Sequence, residues 1–522
     1  SWNHVFNDIH ITNFFAGTEI NSTDRSKNYY QGWGMQYSMG EIPYYVYEFF
    51  KKGIEDGNNY YSLSQTRSRS AAFFANATYS YKGRYTVNGT ARYEGTNRMG
   101  KSRSARWLPT WNVSGAWNAH EEKFFSNLTS VLSHFTLKAS YSLTADRGPA
   151  DVTNSQAIIT SYSPYRPFTS IQESGLYIKE LENSELTYEK KHELNIGADM
   201  GFLNNRINLA VDWYKRNNYD LIGIVNTQGA GGQILKYANI ASMKSHGIEF
   251  TLSTKNIKTK DFNWNTDFIF SNAKNEVTDL KQNANVMELI SGNGFAKQGY
   301  PVRGLFSIPF VGLDKDGIPV IINEKGEATS TDINFQERQN TGFLKYEGPT
   351  DPTITGSLGN MFSYKGFRLN LFITYSFGNV IRLNPVFKAY YSDLTAMTRE
   401  FKNRWTLPGD EAKTNVPAIL SKRMYDSNED LKYAYNAYNY STERIAKGDF
   451  IRLKEISLAY DFPKAWINPL KLTDLSLKVQ ATNLFLIYAD DKLNGQDPEF
   501  FNAGGVASPV PRQFTITLRL GL

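Results

Sequence analysis

Stretches of about ten residues in this chain alternate apolar with polar, and the links between them alternate short with long. Few folds satisfy both patterns. The last residues show the alternation plainly: Phe514, Ile516, Leu518, Leu520 and Leu522 share one parity, while Gln513, Thr515, Thr517 and Arg519 share the other. Successive side chains of a strand point to opposite faces, so such a segment offers one face to an apolar medium and the other to a wet one. A strand between lipid and a water-filled lumen has this character, and the pattern predicts an outer-membrane β-barrel.

The same period of two recurs along the chain. Leu475, Leu477, Val479 and Ala481 oppose Ser476, Lys478, Gln480 and Thr482, and Ile207, Leu209, Val211 and Trp213 oppose Asn208, Ala210, Asp212 and Tyr214. Strands are predicted over 4–20, 27–38, 68–81, 85–96, 107–119, 134–146, 191–203, 206–223, 238–256, 262–279, 353–364, 367–380, 449–462, 473–488 and 513–522. Lys82-Gly83-Arg84, Asn204-Asn205, Lys365-Gly366 and 257–261 are short links. Long ones cover 39–67, 147–190, 281–352, 381–448 and 489–512. Outer-membrane barrels have short periplasmic turns and long extracellular loops, whereas a soluble sandwich gives no reason for the alternation. Within one long link, 297–323 has an apolar stretch and a turn that predict a small hairpin.

Composition agrees. Aromatic residues make up 14% of the 522 residues, with 33 Tyr and 33 Phe, although mean hydropathy is only −0.47. Girdles at both membrane interfaces consume aromatic residues in this way, and an aromatic-rich soluble β-protein is the competing reading. The net charge of +6 is dispersed, which gives no nucleic-acid footprint. No apolar run is long enough for a membrane-spanning helix, which says nothing against strands. The chain opens at Ser1-Trp2-Asn3 in a strand-like stretch, so it is expected to be part of something longer.

Several motifs then carry a resemblance. Gly448-Asp449-Phe450-Ile451-Arg452-Leu453-Lys454, followed by Ile456-Ser457-Leu458-Ala459-Tyr460-Asp461-Phe462-Pro463, is one. Thr482-Asn483-Leu484-Phe485 and Asp497-Pro498-Glu499 follow it. Asp351-Pro352-Thr353, Ser363-Tyr364-Lys365-Gly366-Phe367, Gly201-Phe202-Leu203-Asn204-Asn205-Arg206, Gly247-Ile248-Glu249, Tyr79-Ser80-Tyr81-Lys82-Gly83-Arg84-Tyr85 and Arg92-Tyr93-Glu94-Gly95-Thr96-Asn97 precede it. In this order the set resembles the SusC/RagA-like family of TonB-dependent transporters from Bacteroidetes, over nearly the whole chain. Where that family commonly has an Asp-Gly-Ser-Ser-like run, this chain has Glu94-Gly95-Thr96-Asn97-Arg98, which marks a sub-branch. Many outer-membrane barrels end in an aromatic residue, and this chain ends in Leu522.

The resemblance implies an all-β, transmembrane antiparallel barrel of roughly 22 strands, of which about fifteen lie here. The remaining strands, the plug domain and the segment that meets TonB would come from an N-terminal part or a separate chain. An open sheet cannot sit in lipid, because unpaired edge groups cost several kcal/mol each. The resemblance further implies import of an oligosaccharide or oligopeptide, with a SusD-like surface lipoprotein as lid and the sub-branch motif tilting toward peptides. A passive porin or an adhesin barrel is the alternative.

No catalytic constellation stands out. His120-Glu121-Glu122 lacks the second histidine of a zinc protease helix, and Asp314-Lys315-Asp316-Gly317 lacks the distal glutamate of a calcium loop. Gly229-Ala230-Gly231-Gly232 has no Lys-Ser/Thr after it. Six histidines and no cysteine predict no metal site, and no cofactor or enzymatic activity is expected. Binding is expected instead. Tyr44, Tyr45 and Tyr47 form an aromatic cluster with Phe49 and Phe50 after Pro43, and Tyr390, Tyr391, Tyr433, Tyr435 and Tyr438 form others. Tyrosine offers large amphipathic contact area at low entropic cost. These tyrosines, with Asp497 and Glu499 by the resemblance, are the candidate contacts to substrate or lid protein; packing within the loops competes with that role.

Overall fold

The computed structural model describes all residues except 45, 59, 150–156, 163–172, 228, 230–234, 392–396, 502–510 and 522. Tyr45, Leu522 and Ala230-Gly231-Gly232 therefore lie outside the described residues. Among the described residues fifteen strands pair in chain order into one sheet. They are β1 Trp2–Phe6, β2 His10–Tyr30, β3 Tyr61–Tyr81, β4 Tyr85–Thr96, β5 Trp107–Asn118, β6 Leu132–Asp146, β7 Glu189–Phe202 and β8 Ile207–Asn226. β9 Leu235–Lys258, β10 Phe262–Leu280, β11 Ile354–Tyr364, β12 Phe367–Phe377, β13 Phe450–Asp461, β14 Asp474–Ala489 and β15 Gln513–Gly521 complete it. The chain divides into two compact units: residues 1–115, 140–193 and 218–241, and residues 116–139, 194–217 and 242–522.

From β3 onward these strands coincide with the predicted ones to within a few residues, except that β3 itself starts seven residues earlier than predicted. The first two predictions were partitioned wrongly. Residues 4–20 are not one strand: Asn7 and Asp8, at φ 51° and 58°, turn the chain between β1 and β2. A pair of left-handed residues is what a tight hairpin needs, and Asn and Asp tolerate that conformation. Of the second prediction, 27–38, only residues 27–30 belong to a wall strand, the end of β2, which runs 21 residues in register with β3 from His10↔Tyr81 to Tyr30↔Tyr61; beyond it lie the two-residue strand Met35–Gln36 and the 3-10 turn Tyr37–Met39. At the other tight turns Lys82 and Gly83, Leu203, Asn204 and Asn205, and Lys365 and Gly366 hold positive φ.

Register separates the two faces of the second unit. Leu458, Val479 and Ile516 stand opposite one another across β13, β14 and β15, as do Tyr460, Leu477 and Leu518. One residue along, Ser457, Gln480 and Thr515 form the polar row. Aromatic residues gather at the short-turn end of the apolar face, where the rings of Phe367 and Tyr460 lie 4.4 Å apart and Phe462 joins Tyr460 at 4.9 Å. In the first unit a second row crosses four strands: Trp111 meets Tyr141 at 5.5 Å, Tyr141 stacks on His192 at 5.8 Å, and His192 stacks on Tyr219 at 5.7 Å. Such rows are girdles, with an apolar ring body and a polar tip suited to a membrane–water boundary.

The long links of the second unit are packed structure. Residues 281–353 contain the helix Val286–Ile290, closed by an Asn285–Glu288 capping box, and short strands. Phe310–Leu313 pairs with Pro319–Ile322 as the predicted hairpin, with Ala328–Thr329 added as a third strand. At its turn Asp314 Oδ1 accepts from the N–H groups of Asp316 and Ile318, both at 2.9 Å, which makes this a side-chain-closed turn. Residues 378–449 contribute the helix Leu431–Asn439. Val286, Leu289, Ile290, Phe306, Ile308, Ile321 and Ala437 form one buried cluster, and Phe387, Leu420, Leu431, Ala434, Tyr435 and Tyr438 another.

Candidate functional site

The polar face of β3 and β4 is a ladder of amides and hydroxyls. Thr86 Oγ1 donates to Ser80 Oγ at 2.9 Å, Asn88 Nδ2 to Thr78 Oγ1 at 2.6 Å, and Asn76 Nδ2 to Thr90 Oγ1 at 2.8 Å. Each polar tip is satisfied by its cross-strand neighbour, which fixes the face in one arrangement. Two residues further along β4 the ladder becomes charged. Arg92 pairs with Glu94 at 2.6 Å and with Glu19 of β2 at 2.9 Å, and Arg147, just past β6, pairs with the other oxygen of Glu94. The sequence Glu19–Arg92–Glu94–Arg147 alternates in sign, so the rung holds both charges and no net one. A cavity of about 360 Å³ opens beside it, lined by Thr90, Arg92, Glu94, Thr110, Asn112 and Arg147. Sequence reasoning missed this rung, although Asn88, Thr90, Arg92 and Glu94 share one parity and the signal was there to read.

In the second unit the polar face carries Asn370, Glu455 and Ser457 and ends at Arg452. Arg452 is buried, and its Nη2 donates to both carboxylate oxygens of Asp497 at 2.6 Å, while its Nε lies 3.2 Å from Glu499. Asp497 also accepts from the Glu499 N–H at 3.1 Å. The Asp497-Pro498-Glu499 motif thus fastens the link after β14 to β13. Its carboxylates are engaged by the protein itself, and Glu499 alone keeps an exposed side.

The loop cores hold two buried arginines that sequence reasoning also passed over. Arg382 donates to the carbonyls of Ser441 at 2.8 Å and Phe306 at 2.6 Å and to Ser307 Oγ at 3.1 Å. Burial pulls its pKa below the usual guanidinium value, opposed by nearby Glu347, and carbonyl acceptors stabilise the charge that remains. Arg444 pairs with Glu400 at 2.5 Å and donates to the Asn384 carbonyl. Planar donors reaching several carbonyls at once tie 281–353 to 378–449.

The candidate tyrosines separate into two kinds. Tyr44 (54% exposed) and Tyr47 (74%) stand on the link between β2 and β3, the latter at the start of the helix Tyr47–Glu55. A 630 Å³ hollow there is lined by Trp33, Met35, Tyr44, Phe49, Lys52 and Asp56. Tyr390 stacks on Tyr425 at 6.3 Å, and Tyr433 is exposed with the Lys432 ammonium 5.3 Å over its ring. A 470 Å³ cleft is lined by Lys388, Tyr390, Tyr425, Lys432 and Asn436. Tyr391 is turned inward, accepting from the Lys388 N–H at 2.6 Å. Tyr435 is 1% exposed and donates to the Ala418 carbonyl at 2.6 Å, so its ring is a wall of the core. Burial pushes the Tyr435 and Tyr438 hydroxyls well up, and both are neutral at every ordinary pH.

A two-faced antiparallel sheet with aromatic girdles on its apolar face and packed structure in its long links defines the class: a transmembrane β-barrel of the outer membrane. The profile of the family described as "TonB dependent receptor-like, beta-barrel" matches residues 1–484, and the chain belongs to that family. The TonB-dependent receptor P39 of Formosa agariphila is 26% identical over all of this chain and 52% of its own length. TonB-dependent receptor SusC of Bacteroides thetaiotaomicron is 26% identical over 91% of this chain and 47% of its own. The chain spans about half the length of the curated relatives it matches. Among solved structures, the RagAB peptide importer in its closed-closed state superimposes with a TM-score of 0.77 at 21% identity, over 99% of this chain and 54% of that one. The sheet accordingly matches about half of a TonB-dependent barrel, and no plug lies among the described residues.

Proposed function

We propose that this chain is the C-terminal part of the barrel of a SusC/RagA-like importer, which takes an oligosaccharide or oligopeptide across the outer membrane in a TonB-dependent step. The long-loop end faces outward, and a SusD-like lipoprotein closes over it. The observation that carries the reading is the polar face, whose amide and hydroxyl ladder rises to the Glu19–Arg92–Glu94–Arg147 rung. Closely spaced donors and acceptors along a wetted wall let a polar oligomer exchange partners step by step. Adjacent charges of both signs suit a peptide, which carries both, better than a neutral glycan. The outward-facing aromatics Tyr44, Tyr47, Tyr390 and Tyr433 are the proposed contacts to substrate or lid, together with Glu499.

Uptake of labelled oligopeptides and oligosaccharides by cells with and without the gene, each with and without TonB, tests the reading. Gene-dependent uptake that vanishes without TonB is expected. Uptake that persists without TonB returns the protein to the passive-porin class. Affinity purification from gently solubilised membranes tests the lid: a surface lipoprotein should travel with the barrel, and its consistent absence would remove that part.

A further inference from the structure

A basic and aromatic recess lies on the apolar face of the first unit. The lipid-facing parity of β3 is set by its neighbour: Ala72, Phe74, Asn76, Thr78 and Ser80 share the face of the polar ladder, so Ala71, Phe73, Ala75, Ala77 and Tyr79 look the other way. Tyr93 stands opposite Phe73, and Trp107 stacks on Tyr93 at 5.1 Å. A Cβ added at Gly95 would meet the Trp107 ring at 2.4 Å, so the indole lies flat over that glycine. The short link 97–106 then brings Lys101, Arg103 and Arg106 over this aromatic shelf. Phe73, Tyr93, Lys101, Arg103, Arg106 and Trp107 line a recess of about 390 Å³.

Height matters here. From Tyr81, at the short turn, to Ala71 is about 33 Å of strand at ~3.3 Å per residue. At the usual barrel tilt that covers about 25 Å of membrane height, the full apolar band. Above Ala71 the same face turns polar, with Arg69 opposite Ser22 and Arg67 paired to Asp24 at 2.5 Å. The recess therefore straddles the upper edge of the band, with rings below and cations above. Lys101 shares its charge with Glu182 at 2.8 Å. Arg106 Nε donates to the Gly100 carbonyl at 3.2 Å, and neither Arg103 nor Arg106 has an ion pair among the described residues. Among the described residues no carboxylate belongs to the lining itself, Glu182 reaching it only through Lys101. Phe73 is 57% exposed, an apolar ring that only acyl chains would cover at this level.

We infer that this recess binds a phosphorylated glycolipid of the outer leaflet. Its phosphate sits on Arg103, Arg106 and Lys101, and its acyl chains lie along Phe73, Tyr93 and Trp107. Guanidinium groups match phosphate geometry by paired N–H donors, and each juxtamembrane cation adds to the attraction for an anionic headgroup. The site is on the lipid side of the sheet, away from the polar ladder, so it anchors the barrel without taking part in uptake.

The test uses the whole outer-membrane protein that contains this chain, purified in mild detergent. Native mass spectrometry should show a co-purified or added bisphosphorylated glycolipid bound to the wild type. The variant Arg103→Gln with Arg106→Gln should bind it about tenfold or more weakly, while keeping the heat-modifiable gel mobility of a folded barrel. Trp107 fluorescence should be quenched by the same lipid with brominated chains, and less so in the variant. A dephosphorylated glycolipid should bind no better to the wild type than to the variant. Equal binding of phosphorylated lipid by folded wild type and variant would overturn the inference. So would displacement of the lipid by millimolar free phosphate, or binding of a phosphopeptide with no Trp107 quenching by brominated chains. If the double variant fails to fold, Arg103→Gln alone with the quenching measurement decides in the same way.

Discussion

The wall strands and the long links of the second unit obey different solvents. On β13 and β14, Leu458 and Val479 lie side by side in the sheet, and each keeps 48% of its surface uncovered by protein. In 281–353, by contrast, Val286, Ile290, Leu305, Ile308 and Ile321 are wholly covered. A water-soluble fold would not spend its apolar side chains as the wall does, because burying each is worth roughly 1.5–3 kcal/mol. The wall leaves them open because hydrocarbon is their partner, and its internal order comes from backbone pairing. The links fold as small soluble proteins do, around apolar clusters threaded by buried arginines.

Three substitutions break that contrast if it is wrong. Arg444→Ala should have the largest effect, since it leaves the Glu400 carboxylate and the Asn384 carbonyl without their buried donor. Losing one partner of a buried pair costs about 3–5 kcal/mol. Hydrogen exchange should show faster opening across 286–308 and 431–446 while 450–461 and 474–489 keep their protection. Protection lost together in both regions would mean that links and wall form one cooperative body. Next comes a pair one residue apart. Val479→Arg puts a charge on the lipid face and should cost about 2 kcal/mol. Gln480→Arg, on the polar face, should stay within about 0.5 kcal/mol. Urea unfolding in bilayers, read by gel mobility, measures both, and equal costs would cancel the assignment of faces.

The wall was largely legible in the sequence because a half-buried strand writes its environment in every second residue. β4, predicted over 85–96, runs from Tyr85 to Thr96. The reading failed where a turn had no glycine: Asn7-Asp8 sits between Phe6 and Ile9 and was absorbed into a strand. It also failed at long range. Nothing local says that Arg147 will meet Glu94, 53 residues away, or that Arg444 will meet Glu400 across 44. The tyrosines show the same limit. Tyr433 and Tyr435 look alike in sequence, yet two residues along a helix place one in solvent and the other in the core.

Asp497→Asn sharpens the comparison at the place where link and wall meet. It keeps the shape of the side chain and removes the charge that Arg452 grips, at a cost of about 1.5 kcal/mol. Faster exchange and proteolysis in 490–500 should follow, with β13 unchanged. If uptake also falls while the link stays protected, Asp497 is a substrate contact after all.

The smallest effect is that of acid on the links. Glu411 accepts from the Trp405 indole N–H at 3.0 Å and from the Gly409 N–H at 2.8 Å, and these bonds hold its pKa below the usual carboxylate value. Asp410 is lowered likewise by the Leu407 N–H and the Thr406 hydroxyl. A carboxylate with a depressed folded pKa stabilises the fold above its unfolded pKa, about 4, and that contribution is lost as pH falls through the folded value. Both groups are exposed and the stabilisation is small, but the indole reports it. Trp405 emission should change only below about pH 4, and Glu411→Gln should abolish the change because the amide keeps an acceptor that does not titrate. The wall aromatics have no such carboxylate partner among the described contacts of Trp264 and Trp111, so their emission should stay flat over the same range. A titration shared by wall and link tryptophans would point instead to a global acid transition, and the distinction between the two regions would then not hold at low pH.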